Sequence, residues 1–284
     1  MKKIPLFLLL TFIPAWLLFL APLALPSMDA QQKALLTQGL WALAMWAPGA
    51  AALIVSLLVE KKPLSALGVT RLGVKRFYLW AWLLPIVLTL LGAFVALALG
   101  AAKLDLSFSL FQEAARSANL PVAALVAIQI AAAATFAPVI NMLFTVGEEL
   151  GWRGYLLPSL MPLGEWKAIL WNGFIWGVWH APVIAQGHNY PGYPILGIAM
   201  MIVFCILLGT ILAWLTLSAK SVWVAALAHG AVNAIAGLPV LFFQPGFNVA
   251  LSGTLASPTA WAGMAAFIFW LIKTKRLPTS AESG

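Results

Sequence analysis

Two adjacent glutamates stand in a chain that has very few acids. The stretch TVGEELGWRGYLLPSL contains Glu148 and Glu149, although Asp and Glu together number 8 of 284 residues. On a helix, Glu149 lies one turn before Arg153, so the two side chains can pair. Glu148 points about 100° away, to a face without a basic residue. That face carries Asn141, Trp152 and Tyr155. The pattern predicts a structural carboxylate at Glu149 and an acid or base at Glu148; the alternative is a structural polar network that uses both.

Three more polar residues stand in apolar surroundings further along the chain. His180 lies in WNGFIWGVWHAPV, and His229 and Asn233 lie one turn apart in HGAVN. An imidazole and a carboxamide on one face can bind an anion or polarise a carbonyl oxygen. For His180 alone, a hydrogen bond between helices is the alternative. A helix rises about 1.5 Å per residue, so these three residues and Glu148 lie about 12–21 Å from the predicted cytoplasmic ends of their spans. A single site at this depth is the simplest interpretation.

The elements that must position these residues are membrane helices. Apolar residues make up 63% of the chain and charged residues 8%. A chain with so few polar residues cannot cover the surface of a soluble domain. Apolar runs of about 20 residues are long enough to cross the hydrocarbon core as helices. We therefore predict an all-α polytopic membrane helix bundle with about eight transmembrane helices. The predicted spans are 5–25, 38–59, 77–100, 121–146 (continuing through the glutamates to about 157), 166–186, 194–217, 221–239 and 257–273.

The basic residues predict the orientation of the bundle. With the amino terminus in the cytoplasm, 13 of the 16 Lys and Arg residues fall on the cytoplasmic side. This asymmetry follows the positive-inside rule and places both termini in the cytoplasm. The Lys and Arg residues that flank the spans lie beside anionic lipid, and this accounts for the net charge of +8 without a nucleic-acid partner. The first apolar stretch is longer than a usual signal sequence, which favours a retained helix over a cleaved signal peptide.

We expect one integral membrane domain, residues 1–284, with a motif core at 141–237 and a flexible cytoplasmic tail at 274–284. The loop at 101–120 has helical spacing of Leu and Phe and is predicted to lie along the membrane surface. Cys205 is the sole cysteine, which excludes a disulfide framework and predicts a small buried hydrophobe.

Three glycines share one narrow stripe of the helix that carries the glutamates. Gly147, Gly151 and Gly154 recur at helical spacing. Such a stripe lets a neighbouring backbone approach closely. We therefore predict a tightly packed neighbour on that face.

The ordered polar motifs resemble those of a known family. EELGWR matches a Glu-Glu-x-x-x-Arg motif, and an aromatic-x-x-x-His motif and a His-x-x-x-Asn motif follow it. In this order, within an eight-span protein, they resemble the CAAX prenyl endopeptidase and bacteriocin-processing (CPBP, abortive-infection) family of intramembrane proteases. The second motif usually begins with Phe, whereas Trp176 stands four residues before His180 in this chain.

The resemblance implies hydrolysis of a peptide bond in a membrane-associated peptide or in a protein carboxy terminus, prenylated or not. It implies that Glu148 is the general base, assisted by His180, and that His229 and Asn233 stabilise the oxyanion. Glu149 and Arg153 would hold the helix in register. The family leaves two cofactor states open: none, or zinc held by Glu148, His180 and His229. The zinc-protease signature His-Glu-x-x-His is missing, and Asn233 suits an oxyanion hole, so we favour water activation without metal.

Two other functions remain alternatives at this stage. A non-catalytic membrane partner or immunity protein of the same fold would be expected to lose a motif residue, and none is lost. A proton-coupled transporter would need a polar path to both faces and inverted repeats, and the sequence contains neither. The compact chain, without added soluble domains, favours a prokaryotic plasma membrane.

Overall fold

The computed structural model describes residues 3–25 and 28–277, and its regular elements are helical apart from one antiparallel bridge between Leu104 and Phe243. The all-α prediction is confirmed. The α-helices are α1 (Ile4–Leu20), α2 (Ala30–Ala44), α3 (Ala47–Leu53), α4 (Arg76–Ala98), α5 (Gln112–Ser117), α6 (Val122–Ala134), α7 (Ala137–Glu149), α8 (Leu157–Leu160), α9 (Glu165–Trp179), α10 (Ala181–Ala185), α11 (Leu196–Ala219), α12 (Val222–Ile235) and α13 (Pro258–Lys273). The predicted tail lies mostly outside the described residues.

Within the described ranges, seven short helical segments of other types extend or link these helices. The 3₁₀ segments are Ala21–Ala24, Leu64–Leu67, Ser109–Phe111, Met161–Leu163 and Leu238–Phe242, and the π segments are Ile54–Val59 and Leu150–Leu156. The second π segment follows Glu149 directly and continues the helix to α8. The prediction that the helix runs through the glutamate pair to about residue 157 is therefore confirmed.

Five helical segments of the described chain are long and apolar enough to cross a membrane. They are Ile4–Ala24, Ala30–Val59, Arg76–Ala98, Leu196–Ala219 and Val222–Phe242. A sixth is added if Ser109–Ser117 and Val122–Ala134, bent by 97°, form one span. The other predicted spans are helical but broken or short: the fourth breaks at Thr135, the fifth at His180, and α13 has 16 residues. The count of eight and the cytoplasmic termini stay predictions.

The break between α6 and α7 has a physical cause in Pro138. Proline lacks the N–H that would bond the carbonyl four residues earlier, on Ala134. The indole Nε1 of Trp82, on α4, donates to that carbonyl oxygen at 2.8 Å instead. A partly buried acceptor left free by the proline thus obtains a partner from another helix. The fourth predicted span is two helices rather than one.

The predicted glycine stripe is in close contact with the chain around α3. Gly147 meets Trp46, Gly151 meets Pro48, and Gly154 meets Leu67. A Cβ atom at Gly147 or Gly154 would lie 2.8 Å from a backbone oxygen, so neither position has room for a side chain. The close approach predicted from the stripe is confirmed.

The helices that carry the polar motifs lie at the centre of the packing. α7 packs along α12, α9 packs along α11, and α4 packs against both α12 and α13. α1 closes one side, where the ring of Phe7 lies 4.8 Å from that of Tyr155. The helices that carry the glutamates, His180 and His229 therefore pack against one another directly or through α11.

Candidate active site

Glu149 is fully buried and joins two helices through one carboxylate oxygen. Its Oε1 accepts a hydrogen bond from Nη1 of Arg153 at 3.0 Å, and it lies 2.9 Å from Nδ1 of His229. The predicted pairing of Glu149 with Arg153 is therefore present, and both side chains are buried. The contact with His229 was not anticipated, because the two residues are 80 positions apart. Glu149 thus connects the π segment after α7 to the histidine of α12.

Glu148 is buried as well, but indole groups surround it instead of a cation. Its Oε2 accepts from Nε1 of Trp176 at 2.7 Å and from Nε1 of Trp152 at 3.3 Å. Among the described residues, no donor binds its other oxygen, Oε1. Trp152 was expected on this face from helical spacing, whereas Trp176 comes from α9. The two carboxylates therefore have the different surroundings that the sequence predicted.

Two other residues expected on the Glu148 face bind elsewhere. The hydroxyl of Tyr155 donates to Glu60 at 3.3 Å, and Nδ2 of Asn141 donates to the carbonyl of Gly230 at 3.3 Å. Both contacts join the α7 region to other parts of the chain. Neither side chain is hydrogen-bonded to Glu148.

Trp176 is close to four motif residues, which are Glu148, Arg153, His180 and His229. Its ring centroid lies 5.2 Å from that of His229 and 5.7 Å from that of His180. The guanidinium carbon of Arg153 lies 4.3 Å from the same ring, a cation–π contact. Sequence reasoning treated this position only as an aromatic packing residue, although its place four residues before His180 was a signal. The indole of Trp176 is therefore a common neighbour of these four motif residues.

His180 is half-buried at the break between α9 and α10. Pro182 has no N–H for the carbonyl of Val178, so the helix cannot continue regularly. The Nδ1 atom of His180 lies 2.9 Å from the carbonyl oxygen of Trp176. A carbonyl only accepts, so Nδ1 carries the hydrogen and Nε2 keeps its lone pair. The sulfur of Cys205, which is buried as predicted, lies 3.9 Å from the same nitrogen.

The His229 and Asn233 pair occupies one side of α12. His229 is 5% exposed, and its Nδ1 faces the carboxylate of Glu149. An ionised carboxylate only accepts, so this nitrogen carries a hydrogen and Nε2 is the atom directed away from Glu149. Asn233, one turn later, is exposed. The polar residues thus run from the exposed Asn233 to the buried Glu148.

A zinc ion would require Glu148, His180 and His229 to converge on one point. Within residues 3–25 and 28–277, no three His, Cys, Asp or Glu side chains are arranged so that they could hold one metal ion. The set of Glu148, His180 and His229 therefore does not fit a zinc ion in this arrangement. One nitrogen of each histidine is already directed at a protein oxygen.

The motif-bearing part of the chain matches a family model. Residues 123–235 match the model described as type II CAAX prenyl endopeptidase Rce1-like. This segment, which is less than half of the chain, is similar to Rce1-like endopeptidases. The match includes α6 to α12 and all six predicted site residues, so the resemblance carried by the motifs is confirmed. Together with the long apolar helices, it identifies an integral membrane protein.

A curated relative is similar to part of this chain. The chain is 32% identical over 107 residues to CAAX prenyl protease 2 of Methanococcus maripaludis. The alignment takes in 34% of this chain and spans 39% of the length of that relative.

Proposed function

We propose that this protein hydrolyses a peptide bond of a membrane-associated peptide or protein, with the reaction taking place among its helices. The observation that carries the proposal is the burial of Glu148 and the arrangement of its hydrogen-bond donors. Its carboxylate is buried, forms no salt bridge with a described residue, and accepts two indole N–H donors on Oε2, while Oε1 receives no described donor. A carboxylate with one oxygen anchored and the other available can orient and deprotonate a water molecule. The Rce1-like endopeptidase match of residues 123–235 supports the same reaction class.

In the proposed reaction, Glu148 Oε1 takes a proton as the water oxygen attacks the substrate carbonyl carbon. His180 assists through Nε2, whose lone pair can accept a second hydrogen bond from the same water. The peptide C–N bond then breaks, and the proton held by Glu148 passes to the leaving amine. The products are a carboxylic acid and an amine, so the added water accounts for every atom.

The oxyanion of the tetrahedral intermediate is assigned to His229 and Asn233. Because Nδ1 of His229 faces Glu149, a donor at Nε2 requires the doubly protonated imidazole. In that form, the charges of His229 and Arg153 balance those of Glu148 and Glu149. Donors aimed at the developing charge in a water-poor site are worth several kcal/mol. Glu149 is then a positioning residue for His229 as well as the partner of Arg153.

The proposed substrate class is a peptide or protein carboxy terminus held at the bilayer, with a prenylated cysteine as the first candidate. The curated relative's name, CAAX prenyl protease 2, supports this choice for the matched region. The site lies within apolar helices, which favours a substrate that is itself anchored in lipid. Asn233 is exposed and His180 is half-buried, which supports entry of the substrate chain at these two residues.

The experiment compares purified full-length protein in liposomes with its Glu148→Gln variant on quenched fluorescent peptides, each with and without a farnesyl group. We expect wild-type cleavage of the farnesylated peptide and a loss of about 100-fold or more in the variant, since a general base contributes about 10²–10⁴-fold. Glu113→Gln is the control, because it removes the same carboxylate from an exposed residue whose partner, Arg116, does not belong to the candidate site. Turnover is expected to survive 1,10-phenanthroline. Full activity of Glu148→Gln, or no cleavage by wild type, would refute the proposal.

A further inference from the structure

A second feature of the molecule is a groove on its outer surface, between α4 and α13. Side chains of the two helices line it, among them Trp80, Leu83, Val87, Phe267 and Trp270. Its volume is about 530 Å³. Leu83 and Val87 are about half exposed, at 47% and 50%. The groove is therefore apolar and faces outward from the helix bundle. None of its lining residues is a glutamate or a histidine of the candidate site.

The two helices run antiparallel, which brings one end of each together. Gly92 of α4 packs against Ala260 of α13, and Trp80 lies 6.3 Å from Trp270 between ring centroids. In this register, the beginning of α4 lies beside the end of α13. The groove therefore ends where α4 begins.

That end of the groove is strongly basic. Five exposed cations lie there: Lys75, Arg76, Lys273, Lys275 and Arg276. Arg276 lies directly at the groove, with its guanidinium carbon 4.7 Å from the ring of Trp270. Arg76 begins α4 one helical turn before Trp80, a lining residue, so its side chain lies on the same face of α4 as the groove. Among the described residues, none of the five forms a salt bridge.

This surface is complementary to a lipid with an anionic headgroup. The apolar groove can hold an acyl chain, and the cluster of cations, which has no described acidic partner, can bind a phosphate. Tryptophan side chains are suited to the boundary between the two, because they join an apolar ring to a polar N–H. The basic asymmetry of the sequence predicts that this end faces the cytoplasm, where anionic lipid is concentrated.

We propose that the groove between α4 and α13 binds one anionic phospholipid. An acyl chain lies along Trp80, Phe267 and Trp270, and the phosphate lies at Arg76 and Arg276. The inference does not depend on the proposed hydrolysis, because no residue of the groove belongs to the candidate active site.

The experiment measures lipid binding to the purified full chain by native mass spectrometry. Phosphatidylglycerol and phosphatidylcholine with identical acyl chains are titrated separately. We expect phosphatidylglycerol to bind at least tenfold more tightly, and the double variant Arg76→Gln and Arg276→Gln to lose about tenfold or more of that affinity. The control is Arg71→Gln with Lys220→Gln, which removes the same charge from exposed residues outside the groove and is expected to retain the preference.

A second variant tests the apolar part of the site. Val87→Trp places a large ring at a half-exposed position in the groove and should weaken both lipids. Equal affinity of wild type for the two lipids, or an equal loss in the control variant, would overturn the proposal. Displacement of phosphatidylglycerol by a farnesylated peptide would also overturn it and would assign the groove to a substrate chain.

Discussion

Replacement of Trp176 by phenylalanine removes one N–H group from the candidate site and leaves an aromatic ring in place. The lost group is the donor at 2.7 Å from Oε2 of Glu148. The ring over Arg153 remains, so the cation–π contact at 4.3 Å is weakened rather than abolished. Phenylalanine is also the residue with which the family's second motif usually begins. The substitution therefore isolates the hydrogen bond.

The size of the effect follows from the burial and charge of the acceptor. A hydrogen bond to a charged group contributes about 1.5–3 kcal/mol, and each 1.36 kcal/mol changes a rate about tenfold. The second donor, Trp152 at 3.3 Å, still holds Oε2, so part of the positioning survives. We expect kcat to fall about 10- to 100-fold. KM should change little, because the indole binds the base rather than the substrate.

Trp179→Phe is a matched control on the same helix. Trp179 is 1% exposed, its ring lies 4.8 Å from that of His180, and its indole nitrogen has no hydrogen-bond partner among the described residues. The control thus removes the same atoms beside the same site without removing a hydrogen bond. The assay is initial-rate cleavage of a membrane peptide by purified variants of equal melting temperature. A kcat within twofold of wild type for Trp176→Phe, or an equal loss for Trp179→Phe, would refute the reasoning.

Two further predictions concern stability, both measured by thermal unfolding of the purified protein in detergent. Glu149→Gln leaves the buried Arg153 without its counter-charge and should destabilise the fold by about 3–5 kcal/mol. Glu113→Gln, in an exposed ion pair, should lower the stability by under about 1 kcal/mol. Similar losses in the two variants would contradict the prediction. In the loop after α4, hydrogen bonds from Ser107 and then Ser109 hold the pKa of Asp105 well below its usual range. A lowered folded pKa gives stability that is present above about pH 4 and is lost as the pH falls toward that pKa, so Asp105→Asn should flatten this acid dependence. An unchanged acid profile in Asp105→Asn would show that the loop carboxylate does not contribute.

Local geometry explains which parts of the site the sequence could predict. Glu149 and Arg153 are one helical turn apart, and so are Glu148 and Trp152, so helix periodicity alone brings each pair together. The glycine stripe next to them was predictable for the same reason. The break at Thr135 was missed, although Pro138 signals it, because a proline can also be tolerated inside a membrane helix.

The contacts that connect different helices could not be predicted in this way. Trp176 and Glu148 are 28 positions apart and lie on different helices, and His229 reaches Glu149 across 80 positions. The sequence placed the imidazoles at a similar depth, yet depth does not specify which carboxylate an imidazole meets. That choice depends on how α7, α9 and α12 are rotated against one another, which is set by side-chain packing.

The sequence by itself determined that this is an all-helical membrane protein, which family its motif-bearing segment resembles, and that its two glutamates have different surroundings. Composition, helix periodicity and motif order are local properties of the chain, so they can be obtained without coordinates. Only the tertiary structure decided that Glu149, not Glu148, faces His229, and that an indole from α9 anchors Glu148. Those contacts arise when separate helices pack, and no spacing within one helix encodes them.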